Sequence, residues 1–99
     1  MSHTRLPRAV STVQIDNERV RVTEWRFAPG AETGEHLQEM DYVVVPRGDG
    51  RLKLVSPSGE ESFADLQLGA SYARKAGVRH NVINASAVEY AFVEIELKA

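Results

Sequence analysis

The sequence predicts an all-β domain, a sandwich or barrel, and three observations lead there. About eight short β-forming segments follow one another at close, regular spacing. Turns bearing glycine, proline, asparagine or aspartate separate them. Almost nothing in the chain repeats at the helical period. At 99 residues, 42% hydrophobic and 26% charged, the chain accommodates one globular domain and leaves no room for a second.

Each element follows from local pattern. STVQID, Ser11 to Asp16, sets Val13 and Ile15 between polar residues and ends in a tight turn at Asp16-Asn17-Glu18. ERVRVTEWRF, Glu18 to Phe27, returns as the second arm of a hairpin. Val20 and Val22 lie on one of its faces, Thr23, Trp25 and Phe27 on the other, and Pro29-Gly30 stops it. Apolar groups on both faces predict partial cover on both. After the loop APGAETGE, DYVVV resumes from Asp41 to Val45. The Gly48-Asp49-Gly50 turn is expected to supply positive-φ positions for a hairpin into RLKLV, Arg51 to Val55, where Leu52 and Leu54 alternate with basic residues. SPSGEE turns into ESFADLQL, a short strand is expected between Gly69 and Arg74, and the loop KAGV leads to HNVIN. EYAFVEIEL, Glu89 to Leu97, closes the domain with Tyr90, Phe92 and Leu97 set against acidic residues. Residues 1–10, with Pro7 and few apolar groups, read as an arm ahead of a domain spanning 11–99. A small all-β domain must hide its sheet edges, and pairing an N-terminal strand with a second copy does so, which makes a homodimer the expected assembly.

Composition removes several classes of function. Twelve basic residues are scattered among 14 acidic ones, for a formal net charge of −2, so nothing draws the whole protein to nucleic acid or to an anionic membrane. The absence of cysteine removes disulfides, thiolate metal sites and a cysteine nucleophile, and leaves any metal to nitrogen and oxygen donors. MSHTRLPRAVSTV carries no apolar run of signal-peptide length and no stretch approaches a membrane span, so a cytoplasmic location is expected. No serine sits in a strand-turn-helix elbow, and no glycine loop precedes a helix to cradle phosphate.

Two segments carry the chemistry. In PGAETGEHLQEMDYVVVPRG, His36 and Gln38 are two residues apart, which on a strand places them on one face. In GASYARKAGVRHNVIN, His80 likewise follows a glycine-bearing turn at the start of a strand, and is expected to complete the site from the opposite wall. Taken alone, a strand histidine is more often a hydrogen-bonded or exposed residue than a ligand.

The spacing of these segments is similar to that of the small single-domain cupins. Their first motif, G-x5-H-x-H-x(3 or 4)-E-x6-G, is met by Gly30, His36 and Gly48, with Gln38 at the second histidine and Asp41 at the glutamate, one residue early. Their second, G-x5-P-x-G-x2-H-x3-N, is met by Gly69, Gly77, His80 and Asn84, with Lys75 at the proline. The wider run also resembles a group of small bacterial cupins, some of them named for β-alanine degradation.

The resemblance implies a jelly-roll barrel, the cupin double-stranded β-helix, and in metal-binding members a divalent ion such as Fe, Mn, Ni, Zn or Cu. Carried over by position, the ligands would be His36, Gln38 and His80, with Asp41 as the fourth. Gln38 offers only a neutral amide oxygen, a weaker donor than imidazole. Asp41 is three residues beyond Gln38, so on a regular strand it faces the other way unless a β-bulge near Glu39-Met40 corrects the phase, while Tyr42 shares the face of His36 and Gln38. Trp25, Tyr72 and Phe92 are expected in the core or shaping a ligand pocket, and Arg74, if it points inward, favours a carboxylate. Two readings stay open. In one, a metal-dependent enzyme of dioxygenase or isomerase type acts on a small polar metabolite, a carboxylate among the candidates, with Tyr42 or Asp41 transferring a proton. In the other, a metal-free or degenerate cupin serves as a small-ligand-binding or dimeric accessory module.

Overall fold

The structure, a computed structural model, describes residues 6–98, and every regular element within them is a strand. Residues 1–5 of the expected arm, and residue 99, lie outside the described residues. The strands are β1 (Val10–Asp16), β2 (Val20–Phe27), β3 (His36–Leu37), β4 (Tyr42–Pro46), β5 (Gly50–Val55), β6 (Glu61–Leu66), β7 (Tyr72–Arg74), β8 (Arg79–Asn84) and β9 (Tyr90–Leu97). They form two antiparallel sheets, one ordered β1-β2-β9-β4-β7 and the other β3-β8-β5-β6. No helix of the described residues is long and apolar enough to cross a membrane.

The hairpin expected between β1 and β2 forms, and the turn expected after β5 closes a second one. β1 turns into β2 over Asn17, whose side-chain oxygen accepts from the amides of Arg19 and Val20, and β5 turns into β6 over Ser56, whose hydroxyl accepts from the Glu60 amide. The hairpin expected at Gly48-Asp49-Gly50 does not form, because β4 pairs with β7 and β9 while β5 pairs with β6 and β8. Neither Gly48 nor Gly50 has a positive φ. The chain passes there from one sheet to the other, and Gly50 is needed for close approach: a Cβ on it would lie 2.6 Å from Cδ1 and Cε1 of Tyr90. The Tyr90 hydroxyl donates to the Gly48 carbonyl at 2.9 Å and pins the crossing.

Alternation decides which face is buried. Across β2, β9 and β4, Thr23, Glu94 and Val44 stand in register, as do Trp25, Phe92 and Pro46. Phe27 and Tyr90 form the next rung, and the ring centroids of Phe27 and Phe92 are 5.6 Å apart. Phe27, Tyr42, Val44, Tyr90 and Phe92 from this sheet meet Leu52, Leu66 and Val82 from the other in one buried core. Full burial of a side chain such as Phe27 contributes roughly 2 to 3 kcal/mol. Leu97 departs from expectation: its register with Val20 sets it on the opposite face from Phe92, and it is exposed.

Asn84, wholly buried, braces the crossing loops. Its side-chain nitrogen donates to the carbonyls of Phe27, Ala28 and Val88, and its oxygen accepts from the Ser86 amide. At the start of the chain, Pro7 and Ala9 exchange backbone hydrogen bonds with Glu32, so this part of the expected arm is bonded to the barrel. All of β1 is exposed, including Val10, Val13 and Ile15, and it is an outer strand of its sheet.

Candidate functional site

A cavity of ≈ 140 Å³ opens between the two sheets, and most of its wall is apolar, with Val44, Leu52, Leu54, Val82, Phe92 and Trp25 contributing. The residues that bring polar groups to it are Thr33, His36, Gln38, Tyr42, Tyr72, Arg74, His80 and Glu94. Binding sites commonly combine an apolar wall with a few convergent polar groups.

The histidines come together differently from the sequence expectation. His80 does not face His36 from the opposite wall. The two are paired residues on adjacent strands, β3 and β8, and their rings stand edge to face with centroids 4.9 Å apart. β3 was not expected because it is only two residues long and has no alternation to detect. His36 is held by its own loop. Its Nδ1 lies 3.0 Å from the Gly34 carbonyl oxygen, and only a protonated Nδ1 can donate there, so Nε2 carries the free lone pair. That loop is fixed in turn: the Gly34 amide donates to Asn81 Oδ1, and Asn81 Nδ2 donates to Glu32. Gly34 sits at φ 84°, which a residue with a Cβ rarely adopts.

His80 has a different environment. Its Nε2 is buried without a hydrogen-bond partner among the described residues. Burial, and then the neighbouring His36, lowers its pKa to about 4, so it is a neutral imidazole at physiological pH.

Gln38 lies just past β3, where the chain crosses between sheets, and its backbone is tied to Val78 and Gly77. The side chain is buried, and its Nε2 donates to Glu94 Oε2 at 2.7 Å. An amide nitrogen only donates, and this one is committed to Glu94, so the amide oxygen is the end that this bond leaves free. Glu94 was missed in the sequence because the acids of β9 read as an outer face. Its parity with Tyr90 and Phe92 was the signal that places it inside. Burial raises the Glu94 pKa, opposed by the Gln38 hydrogen bond.

Asp41 does not join this group. The chain changes sheets between Gln38 and Tyr42, so no bulge is needed to set the phase; the Asp41 carboxylate instead accepts from the Ala76 amide at 2.8 Å and lies off the cavity. Tyr42, Trp25, Tyr72, Phe92 and Arg74 all line it. Burial pushes the hydroxyls of Tyr42 and Tyr72 further up from their ordinary range, which keeps both protonated as donors. Among the described residues no group of three or more His, Cys, Asp or Glu gathers in metal-binding range. Two imidazoles and one amide oxygen are what these residues offer an ion. They fit a divalent metal as a partial ligand set, completed by water or a bound molecule.

Similarity to known proteins is strong. A crystal structure of a cupin domain from Bordetella pertussis is 58% identical, covers 98% of this chain and 100% of its own, and superposes with a TM-score of 0.93. The chain belongs to the cupins. A relative from Pseudomonas aeruginosa, "Beta-alanine degradation protein BauB", is 63% identical to this cupin over 92 residues, 93% of this chain and 96% of the relative. A cupin superfamily protein from Desulfitobacterium hafniense, at 16% identity and a TM-score of 0.70, covers 99% of this cupin and 84% of its own chain, and shows the shared fold alone. No protein-family model matches the chain.

Proposed function

We propose that this cupin binds a divalent metal through His36, His80 and the amide oxygen of Gln38, and uses the cavity beside it to bind and transform a small polar metabolite. The observation that carries this reading is the buried, unpartnered Nε2 of His80 next to the His36 ring. An unsatisfied polar atom in an apolar wall costs about 1 to 3 kcal/mol, a cost that a ligand removes. A bound metal would supply Lewis-acid polarisation of a ligand oxygen. The chain's own residues do the rest. Gly34 fixes the ring of His36, Glu94 turns the amide of Gln38, and Tyr42 presents a protonated hydroxyl as hydrogen-bond and proton donor. The apolar wall excludes water from the group being polarised.

The name of the Pseudomonas aeruginosa relative, at 63% identity, supports β-alanine degradation as the setting. The exposed apolar residues of β1 support a homodimer as the working assembly. A second reading, a metal-free ligand-binding module, draws on the lack, among the described residues, of a third His, Asp or Glu in metal-binding range of the imidazoles; there the same pair would hydrogen-bond the ligand directly. Electron paramagnetic resonance of protein loaded with Cu(II) separates the two. Hyperfine coupling to two imidazole nitrogens, reduced to one in His80→Ala, supports the metal site; a spectrum of unbound or purely surface copper favours the second reading.

A further inference from the structure

The polar groups of the cavity divide between its two walls. The histidines and Gln38 belong to β3, β8 and the crossing after β3, whereas Tyr42, Tyr72 and Arg74 belong to β4 and β7 of the other sheet. Tyr42 and Arg74 are directly paired across these strands and therefore share a face, and Tyr72, two residues before Arg74, lies on that face too. This is an outer strand of the sheet, so the group sits at the rim.

Arg74 differs from most arginines of the chain. Arg21, Arg26, Arg47, Arg51 and Arg79 each lie within ion-pair distance of a carboxylate, but Arg74 does not among the described residues. Its guanidinium is nevertheless held: Cζ lies 4.6 Å from the Tyr72 ring centroid, and Nη1 donates to the Ala73 carbonyl at 2.9 Å. Stacking fixes the plane and leaves further N–H donors for a ligand. The tyrosines point the same way. The Tyr90 hydroxyl is bonded to Gly48, whereas those of Tyr42 and Tyr72 make no side-chain hydrogen bond among the described residues. On the adjacent rung, Tyr72, Val44 and Glu94 stand in register, and an ionised Glu94 there repels an anion. Glu96, beyond Tyr42 on the rim rung, lies 3.9 Å from Arg21. A negative group is thus favoured beside Arg74, on the Tyr42 rung, and disfavoured beside Glu94, on the neighbouring one.

We propose that Arg74, with the hydroxyls of Tyr42 and Tyr72, forms a carboxylate subsite at the rim of the cavity, so that the ligand is a short-chain carboxylate whose other end reaches the histidine pair. The inference rests on the cavity being a ligand site, as read above, but needs no metal. The size agrees, since ≈ 140 Å³ leaves space for a metabolite of only a few carbons.

The test uses chelator-treated protein titrated by NMR with 3-hydroxypropanoate and with its uncharged counterpart 3-hydroxypropanamide. Wild-type protein binds the carboxylate at least about tenfold more tightly, as expected of a charge-assisted pair. Arg74→Gln brings the two to within about twofold, Arg74→Lys and Tyr72→Phe keep part of the preference, and Arg47→Gln, on the outer surface, keeps all of it. An unchanged preference in Arg74→Gln, or none in the wild type, overturns the subsite. A protein that takes up no metal on reconstitution, yet shows the Arg74-dependent preference, contradicts the metal reading and supports this one.

Discussion

The side-chain amide of Gln38 donates to Glu94 at 2.7 Å inside the barrel, and this bond gives the amide a direction. With its nitrogen committed, Gln38 has its oxygen left for another partner. Glu94→Ala removes the acceptor and strands a buried amide. We expect a stability loss of about 1 to 3 kcal/mol and a drop in metal affinity of about tenfold or more. Denaturant melts and competition with a chromophoric chelator measure the two; loss of stability with undiminished affinity would show that Gln38 is no ligand.

Replacing Gln38 by histidine tests the same position from the other side. Imidazole is a stronger donor than an amide oxygen to Ni, Cu or Zn, so Gln38→His should tighten binding of these ions by about tenfold or more. Calorimetric titration reads this directly, and an equal or weaker affinity counts against a ligand role for this position.

Acid should weaken the metal-free protein through His80. Its pKa is about 4 in the fold, against 6.5 for an ordinary histidine, chiefly because burial disfavours the imidazolium. Between those values the unfolded chain takes up a proton that the folded chain does not, so the stability present above pH 6.5 is progressively lost as the pH falls toward 4. The loss is on the order of 2 kcal/mol, allowing for partial solvent access. Urea unfolding of wild type and His80→Asn at several pH values isolates it; parallel curves for the two proteins would contradict the assignment.

Gly50→Ala probes the crossing between the two sheets. The added methyl meets the Tyr90 ring at 2.6 Å, and that ring is buried and anchored to Gly48. Overpacking of this kind costs about 1 to 3 kcal/mol. A thermal melt indistinguishable from wild type would mean that Tyr90 yields easily.

What the sequence made legible divides along physical lines. Strands with strong alternation, such as β2 and β9, appear where expected, because period and burial coincide there. Partnership did not follow from local pattern. Gly48-Asp49-Gly50 reads as a hairpin, yet it carries the chain between sheets, a choice made by Tyr90, some 40 residues away. The same limit applies to the site. Motif spacing picked out His36 and His80, but their direct pairing depends on a two-residue strand with no signature. Asp41 took the acid's place by spacing alone, whereas its carboxylate serves the Ala76 turn. The acid that does meet Gln38 is Glu94, far off in sequence and visible only to someone who counted the parity of β9.

The central claim is that the paired histidines hold a metal ion, and elemental analysis tests it most directly. The protein should be purified without affinity tag or chelator and its metal counted, then stripped and reconstituted in turn with Fe, Mn, Ni, Zn and Cu. About one tightly held ion per chain is expected with at least one of these metals, and its loss in His80→Ala. A wild-type protein that retains none of the five after reconstitution would contradict it.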